Sequence, residues 1–419
     1  MREMKDSGIA WIGAMPRAWK MNTIAQIFLQ VKCKNTGLQE KNLLSLSYGK
    51  VKRKSIDTVE GLLPESFDGY NIIEKDDIVL RLTDLQNDHT SLRVGLAEER
   101  GIITSAYLTI RNRSNFCPKY LYYYLHSFDI AKGFYGMGAG VRQGLNWDGV
   151  KWLKILAPLV PEQERIAAFL DAECAEIDAV LEKTRASIEE YKKLKQAVIT
   201  QAVTKGIRGD RPMKDSGIEW IGEIPAEWSV VPFSKFARVS ANLVNPSDYQ
   251  DYLQVSPENI EKDSGKLLPC KTVSEVGVES WNHFFHKGQI LYSKIRPKLN
   301  KVCIAPFDGL CSADMYPIDT DNISKFVVYT ILSNDFNQQV AMITENRVKM
   351  PKINQKELSK IIVVLPANRM EQQEIVDYLD GECGKIDALV AKKQQYLTEI
   401  ENYKKSLIYE YVTGKKEVV

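Results

Sequence analysis

Between Glu279 and Asp308 the chain carries no acid, and Lys287, Lys294, Arg296, Lys298 and Lys301 gather there beside Tyr292 and Asn300. A second acid-free window, from Glu40 to Asp57, holds Lys41, Lys50, Lys52, Arg53 and Lys54 next to Tyr48. A third contains Arg347, Lys349, Lys352 and Lys356, flanked by Asn346 and Asn354. At the corresponding place in the first half, "GAGVRQGLN" supplies Arg142, Gln143 and Asn146, and the strand-like run "DDIVLRL" adds Arg81. Lysine and arginine neutralise phosphates and release their counterions. Arginine, asparagine and glutamine also make paired hydrogen bonds to guanine or adenine edges in the major groove. Taken singly, each window reads as a solvated loop of a slightly basic protein. Their recurrence at matched places in both halves favours duplex DNA as a partner.

Groups that would perform a reaction are missing. There is no G-x-x-x-x-G-K-[ST] phosphate loop. "NPS" at 245–247 begins like the Asn-Pro-Pro-aromatic motif of adenine methylation and fails at its third and fourth positions. The only close histidine pair, His283 and His286, lacks further ligands at sensible spacing, and Cys270 or Cys303 would be guesses. An exposed loop is the simpler reading of that pair. The sequence therefore predicts no catalytic residues, no metal site and no cofactor of its own.

The 419 residues exceed one ordinary domain, and 44% hydrophobic with 26% charged residues is usual for a soluble globular protein. No run of 18 apolar residues exists, so no membrane partner is expected, and the charged first residues lack the apolar core of a secretory signal. Seven cysteines without a C-x-x-C pairing suggest reduced thiols and a cytoplasmic location. The net charge of +2 conceals a division. Residues 1–155 carry 22 Lys+Arg against 16 Asp+Glu, and 211–369 carry 19 against 18. Residues 162–210 carry 8 against 10, and 370–419 carry 7 against 10. Basic segments thus suit a polyanion, while the acidic ones suit protein contacts.

Those segments follow an internal repeat. "MKDSGIAWIG" at 4–13 returns as "MKDSGIEWIG" at 213–222, and Pro16 and Trp19 return as Pro225 and Trp228. A second block, Glu162-Gln163 with "LDAECAEIDA" from Leu170, returns as Glu371-Gln372 with "LDGECGKIDA" from Leu379. The offset is 209 throughout, while residues 20–155 and 229–364 share little beyond scattered hydrophobics. Asp6-Ser7-Gly8 and its copy read as turns, and Trp11, Trp19, Trp220 and Trp228 as anchors.

The second block predicts long helices. Leu170, Cys174, Ile177, Leu181, Thr184, Ile188, Tyr191, Lys195 and Val198 alternate spacings of four and three, as do Leu379 through Tyr411. This is a heptad seam. Aligning Tyr191 with Tyr403 would make the second helix three residues longer. Two such helices related by a pseudo-two-fold must run antiparallel. The expected organisation is a first domain over 1–160, a helix over 161–208, a second domain over 209–368 and a helix over 369–419. Each domain mixes strands ("DDIVLRL", "AYLTIR"; "GQILYSKI", "KVCIAPF") with a helix ("PKYLYYYLHSF"; "SKFVVYTILSN"). The fold class is α+β, with two globular domains separated by two antiparallel coiled-coil helices.

The doubled "KDSGIxWIGxxPxxW" and "EQxxI…LDxECxxIDxL" strongly resemble the specificity subunit of type I restriction-modification systems, over nearly the whole chain. The resemblance implies a non-catalytic DNA-binding subunit with two target recognition domains, each reading one half of a bipartite, asymmetric site. It implies that the helices set the unread spacer and hold two methyltransferase subunits, with two restriction subunits completing the complex. S-adenosylmethionine, ATP and magnesium would then belong to those partners. The family has no invariant base-reading set, so the candidate residues rest on the basic windows alone. Against this stand a protein-only coiled-coil scaffold and an enzyme of unrecognised type.

Overall fold

A computed structural model describes residues 2–55, 66–88, 90, 92–138, 144–347 and 350–418. The described chain divides into two units, Met1–Thr184 with Gln395–Val419, and Arg185–Gln394.

The first unit opens on the repeated decapeptide. Strand Met4–Asp6 pairs antiparallel with Ala14–Pro16. Gly8, at φ 68°, donates to Asp6 Oδ1 at 3.0 Å, and Ser7 Oγ accepts the Ile9 amide at 3.1 Å. The aspartate and serine side chains thereby close the turn, which is why this tripeptide is spelled this way. Lys20–Thr23 then pairs with Lys154–Ala157, tying the start of the domain to its end.

The unit's main sheet runs Phe28–Gln30, Leu108–Asn112, Ile78–Leu80, Val94–Leu96. Ile78, Val79, Leu80 and Ile110 are fully buried. A run apolar on both faces is what "IVL" encodes. Helix Pro118–Ile130 starts with proline at its first turn and buries Tyr120, Leu121 and Tyr124. Outside this sheet lie the hairpin Leu44–Ser47 with Lys50–Arg53 and the pair Asn71–Ile73 with Gly101–Ile103.

The second unit repeats the plan. Met213–Asp215 pairs with Glu223–Pro225, and Ser229–Pro232 with Ile362–Leu365. Its four-stranded sheet runs Arg238–Val239, Met315–Asp319, Ile290–Ser293, Val302–Ile304, followed in sequence by helix Ser324–Leu332. A five-stranded sheet runs Leu243–Val244, Asn282–Phe285, Gly309–Cys311, Leu253–Val255, Lys271–Thr272. The interiors that share little sequence therefore share a sheet order and a helix. What persists is the placing of short apolar runs buried on both faces, as in Ile78–Leu80 and Ile290–Ser293, because that pattern and not residue identity specifies a central strand.

The long helices are Val160–Lys205, with 46 residues, and Arg369–Val412, with 44. Each unit contains part of both, and in each they run antiparallel. In the first unit Phe169 lies 4.4 Å from Tyr411 between ring centroids, and Lys404 Nζ is 2.6 Å from Asp178 Oδ1. In the second, Lys195 Nζ is 2.7 Å from Asp387 Oδ1, and Lys393 lies over the Tyr191 ring at 5.6 Å. Both ion pairs keep the 209 offset, since Asp178 corresponds to Asp387 and Lys195 to Lys404. The expectation of a second helix three residues longer is thus corrected: Ile400, not Tyr403, matches Tyr191. Tyr403 stands off the seam and is exposed, whereas Leu170, Cys174, Ile177, Leu379, Cys383 and Ile386 are buried on it. Burial pushes the Cys383 thiol up to about 11 and raises that of Cys174, and no disulfide joins the seven cysteines.

Candidate nucleic-acid interface

The start of each long helix carries the framework on which the candidate loops sit. Trp19 Nε1 donates to Glu162 at 3.0 Å and Trp228 Nε1 to Glu371 at 2.9 Å. Arg2 pairs with Glu162 at 2.7 Å and Arg211 with Glu371 at 2.6 Å. Each guanidinium also lies over its tryptophan, at 5.5 and 5.4 Å. The adjacent glutamines reach the other way. Gln163 Oε1 accepts the Cys117 amide at 2.9 Å and Gln372 Oε1 accepts that of Ile323 at 3.0 Å, capping the domain helices. Asp171 and Asp380 accept the hydroxyls of Tyr123 and Tyr329, at 2.8 and 2.7 Å, and also hold Lys119 and Lys325. The "EQ…LD" block thus ties each domain to its helix.

Of the four repeated tryptophans, Trp19 and Trp228 are buried, and Trp11 packs on Tyr124 and Phe128 at 5.5 and 5.3 Å. Trp220 is 48% exposed and anchors little. The residues matching Tyr124 and Phe128 in the second unit, Thr330 and Asn334, offer it no aromatic wall.

In the second unit the four-stranded sheet turns through residues 294–301 between its strands Ile290–Ser293 and Val302–Ile304. The basic windows on either side of Asp308 and Glu345 meet here. Ile295 bridges Lys352, the Arg296 amide donates to Pro351 at 2.8 Å, and the Ile353 amide donates to Lys294 at 2.9 Å. Arg296 and Asn300, at φ 43° and 45°, flank a short turn over Pro297–Leu299. Left-handed backbone at non-glycine residues costs on the order of 1 kcal/mol or more and needs surrounding structure to hold it.

Not every cation of the windows is available to a ligand. Lys352 Nζ is bound to Asp314 at 2.9 Å, and Arg347 to Glu357 at 2.5 Å. Lys294 lies over the Tyr316 ring at 5.3 Å. With burial, which contributes most, its charge holds His283 below the usual imidazole range. Arg296 and Lys298 are exposed and have no ion pair among the described residues. Tyr292 and Asn300, placed on the contact surface by sequence, are each 1% exposed. Tyr292 packs edge-on against Phe336, and Asn300 donates to Leu332 at 3.4 Å. Both are removed from the candidate surface, because strand Ile290–Ser293 is covered on both faces and buries Tyr292, and the turn folds Asn300 inward. Lys349 lies outside the described residues.

The first unit has the same arrangement. The loop after strand Ile78–Leu80, carrying Arg81, leads into strand Val94–Leu96, and the Leu145 amide donates to Leu82 at 2.8 Å. Arg81 pairs with Asp88 at 3.5 Å. Asn146 accepts the Gly149 amide at 3.1 Å and caps Trp147–Val150. Arg142 and Gln143 lie outside the described residues. Thr83, Asp84, Asn87 and Gly144 line a cleft of about 590 Å³.

Hairpin Leu44–Ser47/Lys50–Arg53 packs against strand Val94–Leu96, with Gly49 at its tip facing Leu92 and Val94, and with Gly95 facing Leu46 and Val51. Tyr48 is at its tip, 89% exposed; Lys52 is exposed and Lys54 half-buried. Lys50 approaches Asp178 on the long helix at 3.6 Å, and Arg53 forks onto Glu99. The sequence treated this window as the partner of 287–301; the sheet order instead matches 287–301 to the segment around Arg81. Arg93, Thr83 and Asn87 were missed, having no run of like charge to mark them.

Residues 235–402 match the family described as "Type I restriction modification DNA specificity domain". The chain is 34% identical over 282 residues to the type I restriction enzyme EcoDI specificity subunit of Escherichia coli. That alignment covers 63% of this chain and 62% of the relative, so the chain spans under two thirds of that protein. The fold is similar to a chain solved in a study of complex assembly and conformational transition of the type I R-M system. The TM-score is 0.69 at 15% identity, covering 95% of this chain and 98% of that one. The HsdS subunit from Thermoanaerobacter tengcongensis also matches, at TM-score 0.48 and 14% identity over 96% and 98% of the two chains. Among the described residues no three of His, Cys, Asp and Glu gather as a metal would require, and no helix is long and apolar enough to cross a membrane.

Proposed function

We propose that the chain reads double-stranded DNA as the specificity component of a type I restriction-modification complex. Each unit reads one half of a bipartite target through its loop pair. In the second unit the pair is 294–300 with 347–352, and in the first it is the segment around Arg81 with the segment around Asn146. The observation that carries this reading is the repetition of one loop pair, at one end of one sheet, in a chain that matches a DNA specificity domain.

Exposed Arg296 and Lys298 suit phosphate and base-edge contacts, while the paired cations shape the loop. Unlike loops on like frames read unlike half-sites, so the target is asymmetric, whereas a symmetric dimer would require a palindrome. Joining two modest readers by stiff helices turns the second contact into an intramolecular one. The helices set the spacer, and the doubled framework gives two methyltransferase subunits equivalent docking surfaces. Two restriction subunits complete the complex in the cytoplasm. Methylation and cleavage, with their S-adenosylmethionine, ATP and magnesium, belong to those subunits, and this chain supplies no catalytic group or cofactor.

The test is selection from a random duplex library by the full chain co-purified with its methyltransferase subunits. A split, asymmetric motif is the expected outcome. Binding without sequence preference overturns the proposal.

A further inference from the structure

Arg93 is 0% exposed, and among the described residues its guanidinium meets no carboxylate at hydrogen-bond distance. Its terminal nitrogens donate to four backbone carbonyls: Arg81 at 3.0 Å, Thr83 at 2.8 Å, Asp84 at 3.3 Å and Asp88 at 2.5 Å. Nε donates to Tyr135 Oη at 3.1 Å, and that hydroxyl donates to the Asp88 carbonyl at 3.0 Å. The Tyr135 ring lies 5.2 Å from the guanidinium carbon, and the Arg93 amide is fixed by Asp129 Oδ2 at 2.6 Å.

Burying a guanidinium is expensive, and an apolar side chain would fill a core at less cost. The cost is met by carbonyls of a loop that neither a helix nor a strand can satisfy. Those carbonyls belong to the segment that bears Arg81 and presents Thr83, Asp84 and Asn87 to the cleft beside Gly144. In the second unit the residue immediately before the matching strand is Lys301, and its Nζ donates to Pro257 at 2.6 Å, away from the loop. There Pro297 and the left-handed residues Arg296 and Asn300 shape the loop instead.

We infer that Arg93 is a positioning residue: it touches no DNA, and by fixing the backbone of residues 81–88 it sets the base preference of the first unit's half-site alone. This rests on the function proposed above. A lysine at this place keeps the charge but has three donors on one nitrogen, so it cannot span four carbonyls.

The experiment is library selection with the full chain and its methyltransferase subunits, comparing wild type, Arg93→Lys and Tyr135→Phe, with thermal melting and salt titration of each. Tyr135→Phe loses only the hydroxyl that orients the guanidinium, so it reports even where Arg93→Lys fails to fold. In the folded variants, base discrimination in one half-site drops about tenfold, the lower range for a lost base contact. The other half-site keeps its preference within about twofold, and the salt slope is unchanged because no phosphate contact is removed.

Wild-type selection of a split motif with both variants indistinguishable from it overturns this inference and leaves the proposed function standing. Equal loss at both half-sites, or a shallower salt slope, also overturns it. A wild type without any sequence preference overturns the proposed function and this inference together.

Discussion

Asp178 accepts Lys404 across the two long helices at 2.6 Å, and the same two residue types meet again, one repeat later, as Asp387 and Lys195 at 2.7 Å. Each aspartate also receives a lysine from its own domain, Lys50 at 3.6 Å and Lys266 at 3.3 Å. An antiparallel helix pair with one repeated sequence must place partners in this reciprocal way, so the pairs report register as well as charge.

Partly exposed ion pairs contribute little, about 0.2–1 kcal/mol each. A double-mutant cycle of Asp178→Asn with Lys404→Met, read by urea denaturation at low salt, should give a coupling in that range. The coupling should shrink toward zero at high salt, where such pairs are screened.

The tryptophans of the repeat should separate sharply. Trp228→Phe removes the donor to Glu371, a carboxylate with 5% side-chain exposure, and leaves a smaller ring against Arg211. A loss of about 2–4 kcal/mol is expected, combining a broken buried hydrogen bond with lost packing. Trp220→Ala, at an exposed site, should change stability by under about 0.5 kcal/mol. Guanidinium denaturation of the full chain measures both.

Two buried groups in the first unit oppose each other in acid. Burial raises the Asp129 carboxyl to about 6, partly offset by the Arg93 amide, so the folded state takes up its proton before the unfolded state does. The contribution of Asp129 therefore favours folding as pH falls from about 6 to 4, and is lost as pH rises through 6. Burial, with the Lys404 charge second, holds His126 down to about 4, so the unfolded state takes up the proton first. Its contribution is present above the ordinary imidazole value and is lost as pH falls toward 4. Each shift corresponds to roughly 3 kcal/mol at most. Asp129→Asn should therefore steepen the loss of stability between pH 6 and 4, and His126→Gln should flatten it. Urea midpoints at half-unit pH intervals distinguish the two.

The exposed cations of the second unit's loop and its buried tyrosine should behave differently toward DNA. Arg296→Ala with Lys298→Ala should weaken binding and reduce the salt slope by about two, since two phosphate contacts are removed. Tyr292→Phe should leave DNA affinity unchanged, because that side chain lies in the core. Fluorescence anisotropy over a series of salt concentrations checks both.

Much of this molecule is legible from residue order alone. The repeat at a single offset is read by comparing the chain with itself, while the heptad seam with Cys174 and Cys383 on it, the Asp-Ser-Gly turns and the apolar runs that hold strands Ile78–Leu80 and Ile290–Ser293 follow from local rules of spacing and turn chemistry. Those rules act between near neighbours, so no tertiary information is needed to apply them. The sequence also marks 287–301 and 347–356 as basic, and the fold brings these segments side by side. It could not tell which cations are consumed by Asp314 or Glu357, since the turns of the folded chain decide which acid each cation meets. Nor could it assign Tyr292 and Asn300 to the interior, or match the segment around Arg81 rather than the hairpin at Tyr48 to the basic loop of the second unit. Strand order decides that match. Arg93 shows the limit most clearly: nothing in the residue order tells that the segment just before it folds back, so that the carbonyls of Arg81, Thr83, Asp84 and Asp88 all meet its guanidinium.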